Sequence, residues 1–208
     1  MDKDRRMRIL QLLVSVILVT ASASAFAYGP FDYTNPIHVR DKLPIVEKWH
    51  FNADVEGLTG TMAGGDIGGH LWYVIRSFPN HHRALSSMAR LWRQHMPKNQ
   101  IPAGVEPHRT PEVLFERAIA FAPHDGMVRL LYGSHLHRIG ELDKALDFYE
   151  QAEKLKPDSP ELHYNLGLLY TDIKSYDKAK EHAIRAYSYN YPLPGLKKKL
   201  IAAGVWSE

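Results

Sequence analysis

The chain has 208 residues, 45% hydrophobic and 24% charged, so it is long enough for one domain with a substantial core and too apolar for disorder to be the default. It contains no cysteine, which excludes disulfides, thiolate metal sites and covalent c-type haem attachment. The formal net charge of +3 owes much to the first 27 residues, which hold four of the 26 Lys/Arg and two of the 23 Asp/Glu; the remainder is near neutral and nucleic acid loses its electrostatic support as a partner.

Those 27 residues read as an export signal: MDKDRRMR is basic, ILQLLVSVILV is apolar, and TASASAFA ends in small residues. Cleavage after Ala27 is expected, with Ala23 and Ala25 fitting the small-residue rule almost as well. An uncleaved anchor is the alternative, weakened by Gln11, Ser15, Thr20, Ser22 and Ser24 in the apolar run. Export predicts a periplasmic or secreted protein, with membrane anchoring only if the segment is retained.

Residues 28–65 read as an irregular, proline-interrupted segment with one short helix around Asp54 to Leu58. The glycine-rich GLTGTMAGGDIGGHL follows; it lacks the Lys-Ser/Thr of a phosphate loop and the dinucleotide glycine order, so a turn with Asp66 as helix N-cap is expected. DIGGHLWYVIRSFP then carries Leu71, Val74 and Ile75 on one stripe. HRALSSMARLWRQ at 82–94 puts Leu85, Met88, Ala89 and Trp92 on one face, with Asn80 available as N-cap. MPKNQIPAGVEPHRTP is too rich in proline to be helical and is expected to loop out at 96–110, before a helix within 113–125.

From residue 126 the chain repeats itself. Ala145 and Ala152 recur as Ala179 and Ala186, 34 positions on, and Tyr132-Gly133 is echoed by Leu166-Gly167; looking backwards, Phe115, Ala118 and Pro123 lie 34 before Tyr149, Ala152 and Pro157. Each period reads as two helices with an apolar stripe and a small residue at their closest approach, and no such pair can bury its stripe alone, so neighbours must stack. The order Tyr132-Gly133, Leu136, Gly140, Ala145, Phe148-Tyr149, Ala152 and Pro157 resembles the tetratricopeptide repeat (TPR). The second copy departs from it at Lys174, Ala183 and Tyr191, as a terminal unit does. PLPGLKKKLIAAGVW then reads as a capping helix with Leu196, Leu200 and Ile201 inward, Lys197 to Lys199 solvated, and Gly204 at its end.

The resemblance implies an all-α, TPR-type helix-turn-helix solenoid with an irregular N-terminal segment and a C-terminal capping helix. The order expected is degenerate repeat-like helices over 66–125, full units at 126–159 and 160–193, and the cap at 194–208. It also implies a non-enzymatic scaffold that binds a peptide segment in a concave groove, with no cofactor. The family's groove-facing pattern nominates Arg83, Ser86, Arg90 and Arg93, then Leu130, Ser134, His137 and Arg138, then Tyr164, Leu168, Thr171 and Asp172. Guanidinium forks match carboxylates, so an acidic or carboxylate-bearing protein segment of a bacterial cell envelope is the expected partner. The Lys and Asn pair of TPR domains that grip chaperone C-termini is not matched, because Ser86, Arg90, Leu130 and Ser134 stand in those places and only Asn165 fits.

Catalytic signatures are missing: there is no GxSxG and no HExxH. Twelve histidines nevertheless support a competing reading, in which Trp49, His50, Asp66, His70, His81 and His82 form a small-ligand, metal-binding or hydrolytic pocket. Their spacings follow no metal-ligand pattern, and scattered capping or polar histidines are the simpler expectation.

Overall fold

A computed structural model describes residues 29–59, 66–96, 100–102 and 104–206. The export-signal reading and the centre of the glycine-rich turn lie outside these residues. Among the described residues there are eleven helices and no strand: α1 Pro36–Asp41, α2 Leu43–His50, α3 Ala53–Gly57, α4 Ile67–Ser77, α5 His82–His95, α6 Pro111–Phe121, α7 Gly126–Arg138, α8 Leu142–Leu155, α9 Pro160–Asp172, α10 Tyr176–Ser188 and α11 Gly195–Ala202.

The segment before residue 60 is more helical than its prolines suggest. Pro36 and Pro44 sit in the first turns of α1 and α2, where the missing N–H costs nothing and the fixed φ suits a helix. Asn35 and Asn52 cap α1 and α3 by accepting from Ile37 N and Val55 N at 2.9 Å each. Asp66 caps α4 by accepting from Gly69 N at 2.8 Å.

Asn80 does not cap α5. His81 does, its Nδ1 accepting from Ala84 N at 3.1 Å, while Asn80 is fully buried and used as a connector. Its Oδ1 accepts from Tyr33 N at 2.9 Å, and its Nδ2 donates to Asp32 Oδ1 at 2.8 Å and to Asp125 Oδ2 at 3.0 Å. A buried amide with three partners is worth more there than a one-bond cap, since an unmet polar group in the core is costly.

The helices pack as consecutive antiparallel pairs, α7 on α8 and α9 on α10, with α5 against α4, α6 and α7, and α11 closing the end against α9 and α10. Ala145, Ala152, Ala179, Ala183 and Ala186 are all fully buried. Their small side chains let the helices approach, and the two glycines opposite them do the same: a Cβ on Gly133 would stand 2.7 Å from Tyr149 Cδ1, and one on Gly167 would collide with Leu196 of α11. The turn inside each pair needs a left-handed residue. Gly140 takes it at φ +87°, and Lys174 takes it in the second pair at φ +61°. In the cap, Leu196 and Leu200 are fully buried while Ile201 is 40% exposed. Between α5 and α6 the chain returns to α4, where Val105 is buried and the Arg109 guanidinium lies 3.7 Å from the Trp72 ring centroid.

Candidate functional site

The first helix of each pair, α5, α7 and α9, lines one continuous channel made of three adjoining depressions. The N-terminal one, about 420 Å³, is bounded by Glu56, His82, Arg83, Ser86, Ser87, Arg90, Met127, Leu131 and Glu161. The middle one, about 250 Å³, shares Ser86, Arg90, Leu131 and Glu161 with it and adds Ala89, Arg93, Ser134, His135 and Arg138. The last, about 270 Å³, shares Ser134 and Arg138 and extends to His137, Leu142, Tyr149, Asn165, Leu168, Asp172 and Lys199.

On α7 the lining stripe is Met127, Leu131, Ser134 and Arg138; on α9 it is Glu161, Asn165, Leu168 and Asp172, each residue 34 positions after its counterpart. Steps of four, three and four residues keep a stripe on one helix face. The groove therefore repeats with the same period as the core.

Nine of the twelve nominated residues line it: Arg83, Ser86, Arg90, Arg93, Ser134, His137, Arg138, Leu168 and Asp172. Three do not. Leu130 is 1% exposed and belongs to the core, Tyr164 is buried against the Tyr191 ring at 4.8 Å between centroids, and Thr171 turns its hydroxyl back to donate to Gly167 O at 2.8 Å. The groove positions are the next residues along, Leu131 and Asn165; the sequence reading noted Asn165 only against the chaperone-type Lys and Asn pair and nominated neither for the groove. Met127, Glu161 and Lys199 were also missed; the 34-residue offset from Met127 to Glu161 was the available signal.

Charge divides this channel. Arg83 is engaged, paired with Glu56 and with Glu47 at 3.1 Å, and its guanidinium is held above its ordinary pKa by the Glu56 hydrogen bond. Asp172 at the far end is held from both sides, by a hydrogen bond with His137 Nε2 at 2.9 Å and an ion pair with Lys199 Nζ at 2.7 Å. Between them Arg90, Arg93 and Arg138 converge on the middle depression, and among the described residues none of the three forms an ion pair. Arg90 donates to the Glu56 carbonyl and to Ser87 Oγ at 3.0 Å. Arg93 Nη1 donates to His135 Nδ1 at 3.0 Å, and His135 Nε2 donates in turn to Glu112 Oε1 at 2.9 Å. That last bond holds the Glu112 carboxyl down at about 2. Burial, then the neighbouring charges of Arg138 and Arg90, lower the pKa of Arg93, the signature of crowded cations short of a counter-anion. Glu161, on the wall of the same depression, has its carboxyl pushed up by burial.

The histidine-rich N-terminal residues do not converge. His50 and His70 face each other through Nδ1 atoms at 3.0 Å, His81 caps α5 and reaches Glu47 Oε1 at 3.1 Å, His82 reaches Asp125 Oδ2 at 2.7 Å, and Asp66 caps α4. Trp49 is 60% exposed. These contacts are local and separate from one another, and His70 Nε2 is buried without a hydrogen-bond partner.

Residues 133–174 match a family model described as TPR repeat, and residues 160–191 match one described as tetratricopeptide repeat. The helix pairs of this stretch are tetratricopeptide repeats. Among curated proteins the chain is similar to the BBSome complex member BBS4 of Bos taurus, 40% identical over 65 residues that make up 31% of this chain and 12% of that protein. It is also similar to the Hsp70-Hsp90 organising protein of Plasmodium falciparum (isolate 3D7), 33% identical over 61 residues, 29% of this chain and 11% of that protein. The chain thus matches only a small part of the length of either relative.

Proposed function

We propose that this protein is a non-enzymatic interaction scaffold that holds a carboxylate-bearing peptide segment of a protein partner in its groove. The observation that carries this reading is the set of three guanidiniums, Arg90, Arg93 and Arg138, gathered on one depression where, among the described residues, none of them forms an ion pair. An Asp, Glu or C-terminal carboxylate from a partner supplies the missing counter-charge through bidentate bonds. Leu131, Leu168 and Met127 add apolar contact on either side, and Asn165 offers an amide to a peptide backbone. Support also comes from the relatives' names, one a complex member and the other an organising protein.

The place of action we infer is the bacterial cell envelope, periplasmic or secreted. The reading rests on the basic, apolar and small-residue order of residues 1–27. Among the described residues no helix is long and apolar enough to cross a membrane.

The test is fluorescence anisotropy with acidic, neutral and basic peptides of equal length. Acidic peptides are expected to bind the protein in a salt-dependent way, and Arg90→Glu with Arg138→Glu is expected to remove that binding while leaving the helical circular dichroism signal intact. Arg93 is left in place because it holds His135. Equal binding of all three peptide classes, or unchanged acidic binding in the double variant, would refute the carboxylate reading.

A further inference from the structure

Away from the groove, three side chains meet where consecutive repeats join. Glu153 comes from the end of α8, His163 from the first turns of α9 and His182 from the middle of α10, and one ligand atom of each lies within 4.8 Å of the others. His163 Nδ1 stands 3.1 Å from His182 Nδ1 and 3.7 Å from Glu153 Oε1. Tetrahedral zinc, with Zn–N and Zn–O bonds of about 2.1 Å, spaces its ligand atoms about 3.4 Å apart. The two observed distances bracket that value.

The protonation pattern points the same way. His163 Nε2 lies 2.7 Å from the carbonyl oxygen of Pro157, and only an N–H can face a carbonyl there. Nδ1 of His163 therefore presents its lone pair to His182 and Glu153. A backbone carbonyl on the far nitrogen is how proteins orient a metal-binding imidazole. Both histidines are buried, which favours the neutral imidazole that a metal ion binds. Without a cation, His182 Nδ1–H donates to His163 Nδ1; to accept a metal, His182 needs only to carry its proton on Nε2 instead.

Repeat packing does not require these residues. The positions 34 earlier hold Ile119, Arg129 and Phe148, which offer no ligand set. Ile119 and Phe148 pack against the core, and Arg129 donates to Gln151. One group opposes a cation: Arg185 Nη1 donates to Glu153 Oε1 at 2.9 Å and its Nη2 donates to Pro157 O at 3.2 Å. Arg185 is a part-exposed side chain at the edge of the cluster; the oxygen it holds, Oε1, is also the one that faces His163, so a rotation of the Glu153 carboxylate is needed to give one oxygen to a metal and leave the other to the arginine.

We propose that Glu153, His163 and His182 bind one divalent transition-metal cation of the zinc class, which clamps α8 to the α9–α10 pair. In a chain without cysteine, such a clamp is a cross-link between neighbouring repeats that packing alone does not supply. The clamp is independent of the groove and of what the groove binds.

The experiment is titration of the chelator-stripped full chain with Co²⁺, followed by visible absorption and calorimetry, then displacement with Zn²⁺. One Co²⁺ per chain with the intense bands of a four-coordinate site is expected, together with a higher melting temperature in Zn²⁺. Glu153→Gln and His182→Gln should each weaken binding at least as much as the about 10–100-fold lost when an outer-shell partner is removed. Buried His163 is left unchanged, and circular dichroism of the metal-free variants confirms that they fold. Arg185→Gln should tighten binding, a result that a mere histidine hydrogen bond beside an ion pair would not produce. Absence of saturable Co²⁺ binding, or the same affinity and spectrum in His182→Gln but a loss in the exposed His108→Gln, would overturn the proposal.

Discussion

Replacing Gly133 by alanine tests whether the repeat's close approach is real. The added Cβ would lie 2.7 and 2.8 Å from Cδ1 and Cε1 of Tyr149 and 3.2 Å from the Ala145 carbonyl. Tyr149 is wholly buried, so the added methyl must be accommodated by its ring or by α8 itself. Overpacking of this kind costs about 1–3 kcal/mol, whereas alanine in a helix interior recovers about 0.8–1.0 kcal/mol relative to glycine. The net expectation is a loss of about 1 kcal/mol, or about 2–4 °C in melting temperature for a chain of this size. Gly167→Ala supplies the contrast, because its Cβ meets the methyl end of Leu196, which can rotate and which belongs to the short α11. Urea unfolding followed by circular dichroism at 222 nm, with both variants beside the parent, checks this. If Gly133→Ala matches or exceeds the parent in stability, or if Gly167→Ala is the more damaging of the two, the packing argument is wrong.

Other expectations concern single residues. Lys174 holds a left-handed backbone at φ +61° in an exposed turn, so Lys174→Gly should stabilise the protein by about 0.5–1 kcal/mol, read as a higher urea midpoint. Glu112 is held at about 2 by the His135 hydrogen bond, below its unfolded value of 4.5. A depressed carboxylate adds stability that is present above pH 4.5 and fades as the pH falls towards 2. The Glu112→Gln variant should therefore show a flatter stability profile across that window than the parent, and an unchanged slope would remove the bond from the account. Asn80→Ala strips partners from Asp32, Asp125 and Tyr33 N at once and should cost about 1–3 kcal/mol. The accompanying sign is faster amide exchange at residues 31–35, where the buried Asn80 contact now protects the chain.

What could be read from the sequence follows from what is periodic. The alanines at 145, 152, 179 and 186 and the glycines at 133 and 167 mark contacts that recur, so the stacked pairs and the capping helix were legible. The groove's phase on α7 and α9 was not. Val128, Leu130, Tyr132 and Leu136 are all buried on α7, because a helix held between neighbours hides more than one face. With no single polar side to mark the opening, Leu130 was as good a choice as Leu131. On α5 the outward residues are arginines and serines, and there all four nominations reach the groove. The first turns of α1 and α2 were obscured because a proline that starts a helix looks in sequence like one that breaks it. Glu153, His163 and His182 escaped notice because they come from three helices, and their separations of 10 and 19 residues match no local ligand pattern.

The face formed by α5, α7 and α9 is the surface proposed to receive a protein partner. The most direct measurement is photo-crosslinking in living cells, with the reactive group placed in turn at Leu131 and Asn165 in the groove and at Lys144 and Lys180 on the second helices. Capture of one common protein from both groove positions, and from neither of the others, is the expected result. Capture from Lys144 and Lys180 with none from Leu131 or Asn165 would contradict the account.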